Sequence, residues 1–330
     1  MKNKKTILLI IIYLPITLLL PTFQSCEQFV EIDLPDDQIN TEDVFKDIKT
    51  TKAALVNLYT SMREAQLFKG GSNGINLDLS KYTDDLDAFT ESDQMYNNNI
   101  SPSGSPSDLY WTRAFKNIYD INAFINGLNM SEYISENDKE VFLGEAYFLR
   151  ALYYQKLTLL FGNIPYITST DYKANTTVSK INTDEVLSLI KQDLIKARQL
   201  LPNEYRNPER FYPNKPVAEL VLAQTYLLQK QYKMAEQTAK TILNNSFFKI
   251  ESDLDKVFKK DAASTLWQLS SNSSSNFAPT ADASTYIFAS LPPTNYALST
   301  NFIAIFDGKD LRNSWIKEVT NGTVSYFHAY

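Results

Sequence analysis

Residues 144–168, GEAYFLRALYYQKLTLLFGNIPYIT, constrain this chain more than any other stretch. Between positions 141 and 161 apolar residues fall on every face of a helix, and only Glu145, Arg150 and Lys156 carry charge. A helix that is apolar all round has no face to give to water, so other elements must wrap it. A charge every turn or two argues against a membrane span. Gly162 stands where a helix ends and positive φ is wanted, and Pro165 holds Ile164 extended. The expectation is a central core helix with a tight exit.

The chain starts differently. Lys2, Lys4 and Lys5 precede an apolar run at positions 7–20 that Pro15 and Thr17 interrupt, so residues 1–25 read as a signal segment outside the fold. Cys26 follows directly and is the only cysteine, which excludes an intramolecular disulfide. Its place behind a signal segment, after the small residue Ser25, points to a lipid anchor, and stable attachment takes more than one acyl chain. Residues 27–40, EQFVEIDLPDDQIN, hold five carboxylates and no base, and residues 26–40 read as an acidic tether. Removing three lysines and no acid with residues 1–25 moves the formal net charge from −6 to −9. Nucleic acid needs a basic patch, so it is excluded as a partner.

Residues 41–330 read as one domain. Thr41-Glu42-Asp43 supplies an N-cap and an acidic first turn. A second helix is expected to start at Thr50 and Thr51 and to end near Lys69-Gly70-Gly71. From 70 to 108 no period persists, and a segment of that length inside a domain is usually functional or disordered. It carries Tyr82, Asp84, Asp85, Asp87, Tyr96, Asn97, Asn98 and Asn99. Tyrosine faces that meet the C–H side of sugar rings, with carboxylates and amides on the hydroxyls, suit a carbohydrate site. An ordinary polar loop has the same composition. Asp108 is expected to cap an amphipathic helix in which Trp111 belongs to the core.

The next signal is internal repetition. With Pro216 as the first position of a tetratricopeptide-like unit, Leu222, Ala223, Tyr226, Tyr232 and Ala235 fall where such a unit wants them, and Gln229-Lys230-Gln231 replaces its turn glycine. Residues 183–201, capped by Thr183, form the second helix of an earlier unit. The central helix supplies its first, with Ala151 in the small position and Tyr154 in the aromatic one, and residues 162–182 are an insertion between them. The fold class is therefore mostly α: a tetratricopeptide-like helical solenoid over 108–245, with long irregular loops and a few short β-strands. Further on, residues 265–270 alternate like a strand buried on both sides, Tyr286 and Tyr296 lie in a loop-rich part (246–330), and Asn321-Gly322 marks the turn of a hairpin.

Gly144-Glu145-Ala146, the run from Phe148 to Tyr154, and Leu160 through Pro165 together resemble the signature of the SusD/RagB family of surface nutrient-binding lipoproteins of Bacteroidetes-type bacteria. The resemblance implies a lipid-anchored protein exposed on the outer membrane. It would capture an oligosaccharide and hand it to a SusC-like, TonB-dependent transporter over which it closes as a lid. It implies ligand contacts from the 70–108 loop (Tyr82, Asp84, Asp85, Tyr96, Asn98) and from the region after the repeats (Tyr286, Tyr296). Peptide, as in RagB-like members, is the alternative ligand, and a repeat scaffold without a small ligand is the alternative class. Family members continue past the point where this chain stops, so the resemblance implies a shortened member whose last strands lack partners. Asp310 and Arg312 match a family element and read as a structural ion pair.

Catalysis finds little support. The single histidine, His328, is expected at the surface, and no nucleophile elbow, phosphate loop or His/Cys metal spacing occurs. Asp84, Asp85 and Asp87 fit neither a calcium loop nor, more than any solvated acid cluster, a hydrolytic pair. The reading is a binding protein with no cofactor and no metal.

Overall fold

The computed structural model describes residues 41–71, 74–89, 94–101, 106–270 and 281–329. The signal segment, Cys26 and the acidic tether lie outside the described residues.

A short helix, α1 (Thr41–Val44), leads to Asp47, whose carboxylate accepts from the amides of Lys49 (2.8 Å) and Thr50 (3.2 Å) and caps α2 (Ile48–Glu64). The helix thus starts before the expected threonines, because Thr50 and Thr51 turn their hydroxyls back to the Val44 carbonyl instead of capping. It buries Leu55, Leu58, Tyr59 and Met62, one stripe at helical spacing. The stretch expected to lack order holds α3 (Ile75–Tyr82) and β1 (Leu86–Ala88). Its period was hidden because the buried stripe of α3 includes Asp78 and Lys81, ion-paired at 2.8 Å.

Helix α4 (Pro106–Met130) opens on a proline, which suits the first turn, two residues before the expected cap. Trp111 is half-buried against Phe115 and Phe161. Helix α5 (Glu136–Phe161) is the central helix, capped by Ser135 and buried on all sides from Phe142 to Thr158. It ends at Gly162, with φ +70, whose amide donates to the Thr158 carbonyl at 2.9 Å. The insertion that follows contains α6 (Tyr172–Asn175) and is pinched at its neck, where Ile181 donates to the Ile164 carbonyl at 3.0 Å.

Helix α7 (Thr183–Leu200) is capped by Asn182 rather than Thr183. Then α8 (Lys215–Leu228) and α9 (Tyr232–Leu243) form the expected pair. Lys230 takes the turn glycine's left-handed conformation, at φ +59. Each helix packs on the next in the order α2, α4, α5, α7, α8, α9, which is the stacked solenoid.

Residues 265–270 form no strand. Trp267 Nε1 donates to the Phe211 carbonyl (3.0 Å) and the Gln268 amide to the Arg210 carbonyl (3.2 Å), so the segment bonds to an irregular loop and leaves Trp267 and Leu269 half-buried on the main core. After α10 (Ala281–Tyr286) come β2 (Tyr296–Leu298), α11 (Thr300–Ile303), β3 (Ile316–Asn321) and β4 (Val324–Ala329). The strands form an antiparallel sheet in the order β1-β2-β4-β3, with Leu86 opposite Leu298, Leu298 opposite Phe327 and Ile316 opposite Ala329. Strand β4 therefore has a partner on each side, contrary to expectation. Asn321 pairs with Val324, so the turn is Gly322-Thr323, one residue later than expected, with Gly322 at φ +63. His328 is buried against the Phe288 ring instead of exposed.

The core holds two polar knots. Arg150 donates Nε and Nη2 to the two oxygens of Asp193 (2.7 and 2.8 Å) and Nη1 to Asn122 Oδ1 (2.8 Å). Asn122 Nδ2 and Tyr154 OH donate to the Ile167 carbonyl, and Tyr166, stacked on Tyr154, donates to Asp193 at 2.6 Å. The other knot surrounds Glu145, which accepts from Tyr59 OH (2.6 Å) and lies 3.2 Å from Arg206, while its Oε1 has no partner.

Two predictions follow from these knots. Removing one partner of a buried ion pair strands the other, so Asp193→Ala should cost about 3–5 kcal/mol in urea denaturation; a loss below about 1 kcal/mol would contradict this picture. Burial raises the Glu145 carboxyl from 4.5 to about 7 although Arg206 and the Tyr59 hydrogen bond pull it down. A carboxyl raised by folding stabilises below its unfolded pKa and loses that contribution as pH climbs to the folded one. The loss here is roughly 3 kcal/mol, spread between pH 4.5 and about 7. Glu145→Gln should lack it, so the stability difference between variant and wild type should change across that window; parallel pH curves would refute it.

Candidate functional site

The sheet is sewn to the helices at the point where α3 ends. Asp84 takes a left-handed conformation, φ +60, and turns the chain so that the Asp85 amide donates to the Ser80 carbonyl at 2.9 Å. Thr83 Oγ1 donates to the Asp85 carboxylate at 3.0 Å. From the far end of the chain, Ser299 closes the junction: its hydroxyl donates to the Asp84 carbonyl (2.7 Å) and its amide to the Asp85 carbonyl (2.9 Å). The same hydroxyl accepts from the Phe302 amide at 3.1 Å and caps α11. Behind the strands the Asp78–Lys81 pair is buried, Tyr110 OH donates to Asp78, and Lys81 Nζ sits 5.7 Å from the centre of the Tyr296 ring.

A cavity of about 380 Å³ opens beside this junction. Its walls carry the rings of Tyr286, Phe302, Phe306 and Trp315, with Leu86, Leu298 and Ile316 as an apolar floor. Ser80, Asp85 and Arg312 supply the polar groups. Tyr286 OH and Ser80 Oγ are hydrogen-bonded at 3.2 Å. Arg312 lies over the Phe306 ring at 5.1 Å, and Asp310 holds its guanidinium at 2.6 Å as the expected ion pair. Aromatic walls with a few converging polar groups are the usual build of a small-molecule site, and the volume falls within the usual range.

Among the residues proposed from the sequence, Asp85 and Tyr286 both line this cavity although they stand 201 positions apart in the sequence. Tyr82, 45% exposed, sits at the end of α3, and Asp84 contributes its carbonyl to the junction. Tyr96 is half-buried and Asn98 exposed, in a turn where Asn98 has φ +54. Tyr296 lies in β2 against Lys81. None of these five lines the cavity. Asp87 lies in β1 next to Leu86 in sequence, so it faces the opposite side of the sheet, and burial raises its carboxyl. Ser80, Phe302, Phe306 and Trp315 line the cavity without having been singled out in the sequence: the first sits on the unrecognised α3, and nothing in the local pattern sets the other three apart from ordinary apolar residues.

Among the described residues, no group of three or more His, Cys, Asp or Glu side chains is gathered as metal ligands, and no helix is long and apolar enough to cross a membrane.

The SusD-like family model, described as starch-binding and associating with the outer membrane, matches residues 32–227. SusD-like protein P2 of Formosa agariphila is 28% identical over 248 residues, which are 73% of this chain and 48% of that protein. SusD-like protein P25 of the same organism is 23% identical over 239 residues, 67% of this chain and 44% of that protein. The chain thus spans about half the length of these curated relatives. Among solved structures, a SusD superfamily protein from Bacteroides vulgatus shares the fold with a TM-score of 0.71 at 18% identity, covering 87% of this chain and 68% of its own. A laminarin-binding SusD-like protein shares it with a TM-score of 0.58 at 23% identity, covering 64% and 48%. The family match takes in the central helix and most of the helical stack, more than half of the sequence, and the chain belongs to the SusD-like family.

Proposed function

We propose that this protein holds an oligosaccharide at the outer surface of the cell without cutting it and delivers it to a SusC-like, TonB-dependent channel. The observation that carries the reading is the aromatic cavity where α3, β1 and the segment 286–316 meet. Sugar rings present flat C–H faces that pack on aromatic rings, and their hydroxyls need oriented donors and acceptors. Tyr286, Phe302, Phe306 and Trp315 offer the first; Ser80, Asp85 and Arg312 offer the second. The family's description as starch-binding and outer-membrane-associated supports the same reading. Tyr82, Asp84, Tyr96, Asn98 and Tyr296 stand as outer contacts or supports for a ligand that reaches beyond the cavity. Cys26, behind its signal-like segment and ahead of five carboxylates, is the proposed lipid anchor.

A glycan array probed with residues 26–330 should show retention of intact sugar with no release of shorter products. Trp315→Ala and Tyr286→Ala should each weaken it roughly tenfold, the scale of one lost ring contact, with the circular-dichroism helix signal unchanged. Retention of peptides in place of glycans would select the peptide-uptake reading, and retention of neither would leave the scaffold. Separately, Cys26→Ser should move the protein from the membrane fraction to the soluble one and abolish labelling by a fatty-acid analogue; an unchanged distribution would rule out the anchor.

A further inference from the structure

Trp315 does not close the candidate site. A second cavity, of about 660 Å³, opens beside it, and the two share Trp315 and Ala329 in their walls. The second is lined further by Leu254, Phe258 and Ser314, with Asp255 and Lys259 as its charges. Phe258 is 82% exposed, and its ring meets the Trp315 ring edge to face at 5.3 Å and 64°. A lone exposed phenylalanine on a surface needs no explanation. This one touches Trp315, which shares the wall of the first cavity with the paired rings of Phe302 and Phe306, 5.3 Å apart.

The backbone that presents Phe258 is well formed. A turn of 3₁₀ helix, Leu254–Lys256, is capped by the Asp253 carboxylate on the Asp255 amide (3.1 Å), and Asp253 also pairs with Lys256 at 2.8 Å. The Lys259 amide then donates to the Lys256 carbonyl at 3.0 Å, holding the residues around Phe258 in a tight turn.

Charge narrows the ligand. Polyanions are gripped by guanidinium and ammonium groups free to reach them. In the first cavity Arg312 is already engaged by Asp310, and Asp85 adds a carboxylate. The second contributes one charge of each sign, Asp255 and Lys259. No cationic cluster lines either space among the described residues.

We propose that Phe258 is the distal platform of an extended ligand track, so that the protein selects neutral oligosaccharides long enough to pass Trp315 over both short fragments and polyanionic chains. The proposal rests on the glycan-binding function proposed above. Ring stacking is the interaction that a repeated neutral sugar offers at each step, and a row of aromatic side chains repeats it along the track. Each further ring placed on the track should raise affinity until Phe258 is covered.

The test is calorimetric titration of the full chain with laminari-, malto-, cello- and xylo-oligosaccharides from disaccharide to heptasaccharide, and with oligogalacturonates of matching length. Affinity in the best neutral series should rise with length. Phe258→Ala should weaken the longest member roughly tenfold and leave the shortest unchanged, while Phe258→Tyr, which keeps the ring, should retain wild-type affinity. Affinity independent of length, equal losses for short and long members, or tighter binding of oligogalacturonates than of every neutral series would overturn the proposal while leaving glycan binding intact. No binding in any series would instead sink the glycan reading itself, and the track with it.

Discussion

The Arg150–Asp193 pair is the interaction on which the rest of the helical stack depends. A charge taken out of water is costly unless it meets an opposite charge and its remaining hydrogen-bonding positions are filled. Here a bidentate guanidinium–carboxylate contact joins α5 to α7, Asn122 brings in α4, and the insertion is tied down by Tyr154 at the Ile167 carbonyl and by its own Tyr166 on Asp193. Apolar packing alone would tolerate sliding of these helices over one another. The directional contacts permit one register, and the geometry of the network requires α4, α5, α7 and the insertion to be in place together.

Glu145 makes a looser knot on the same helix. Tyr59 and Arg206 satisfy one side of its carboxylate and leave Oε1 bare, so burial dominates and the group is held near neutrality. Arg206 also lies 3.5 Å from the centre of the Tyr212 ring within the irregular segment between α7 and α8, and Tyr212 meets the Tyr59 ring of α2 edge to face at 5.1 Å, which fastens that segment to the stack. The two knots differ because one carboxylate is matched by a full guanidinium fork and the other is not.

The candidate site stands apart from both knots. Leu77, Leu86 and Leu298 form a small apolar cluster of their own, distinct from the large core of the stack. It is joined to the helices through Asp78, Lys81 and Tyr110, and its two halves, far apart in sequence, are held by Ser299 and a short strand pair. A rigid repeat scaffold carrying irregular loops is a common division of labour in binding proteins: the scaffold sets position, and the loops supply the contacts.

The helical pairing could be read from residues because its signals are local: the all-round apolar run of α5, the small and aromatic positions of Ala151, Tyr154, Ala223 and Tyr226, the glycine at 162, and the α7 cap, one residue from its expected place. These follow from helix geometry and backbone chemistry, which act over a few positions. What the chain alone left undecided is non-local. The polar stripe of α3 makes sense only once Asp78 meets Lys81 and Tyr110; residues 265–270 have strand-like alternation but find a loop instead of a strand; and His328 is buried in the folded sheet, where the Phe288 ring meets it edge to face. Asp85 and Tyr286 could be nominated singly, but Ser299 and the β1–β2 pairing bring them to one cavity. Sequence determined the paired helices of the stack, because each carries a periodic apolar face or, in α5, an apolar surface all round. Tertiary structure decided the site, because its walls come from segments that meet only after the chain has folded.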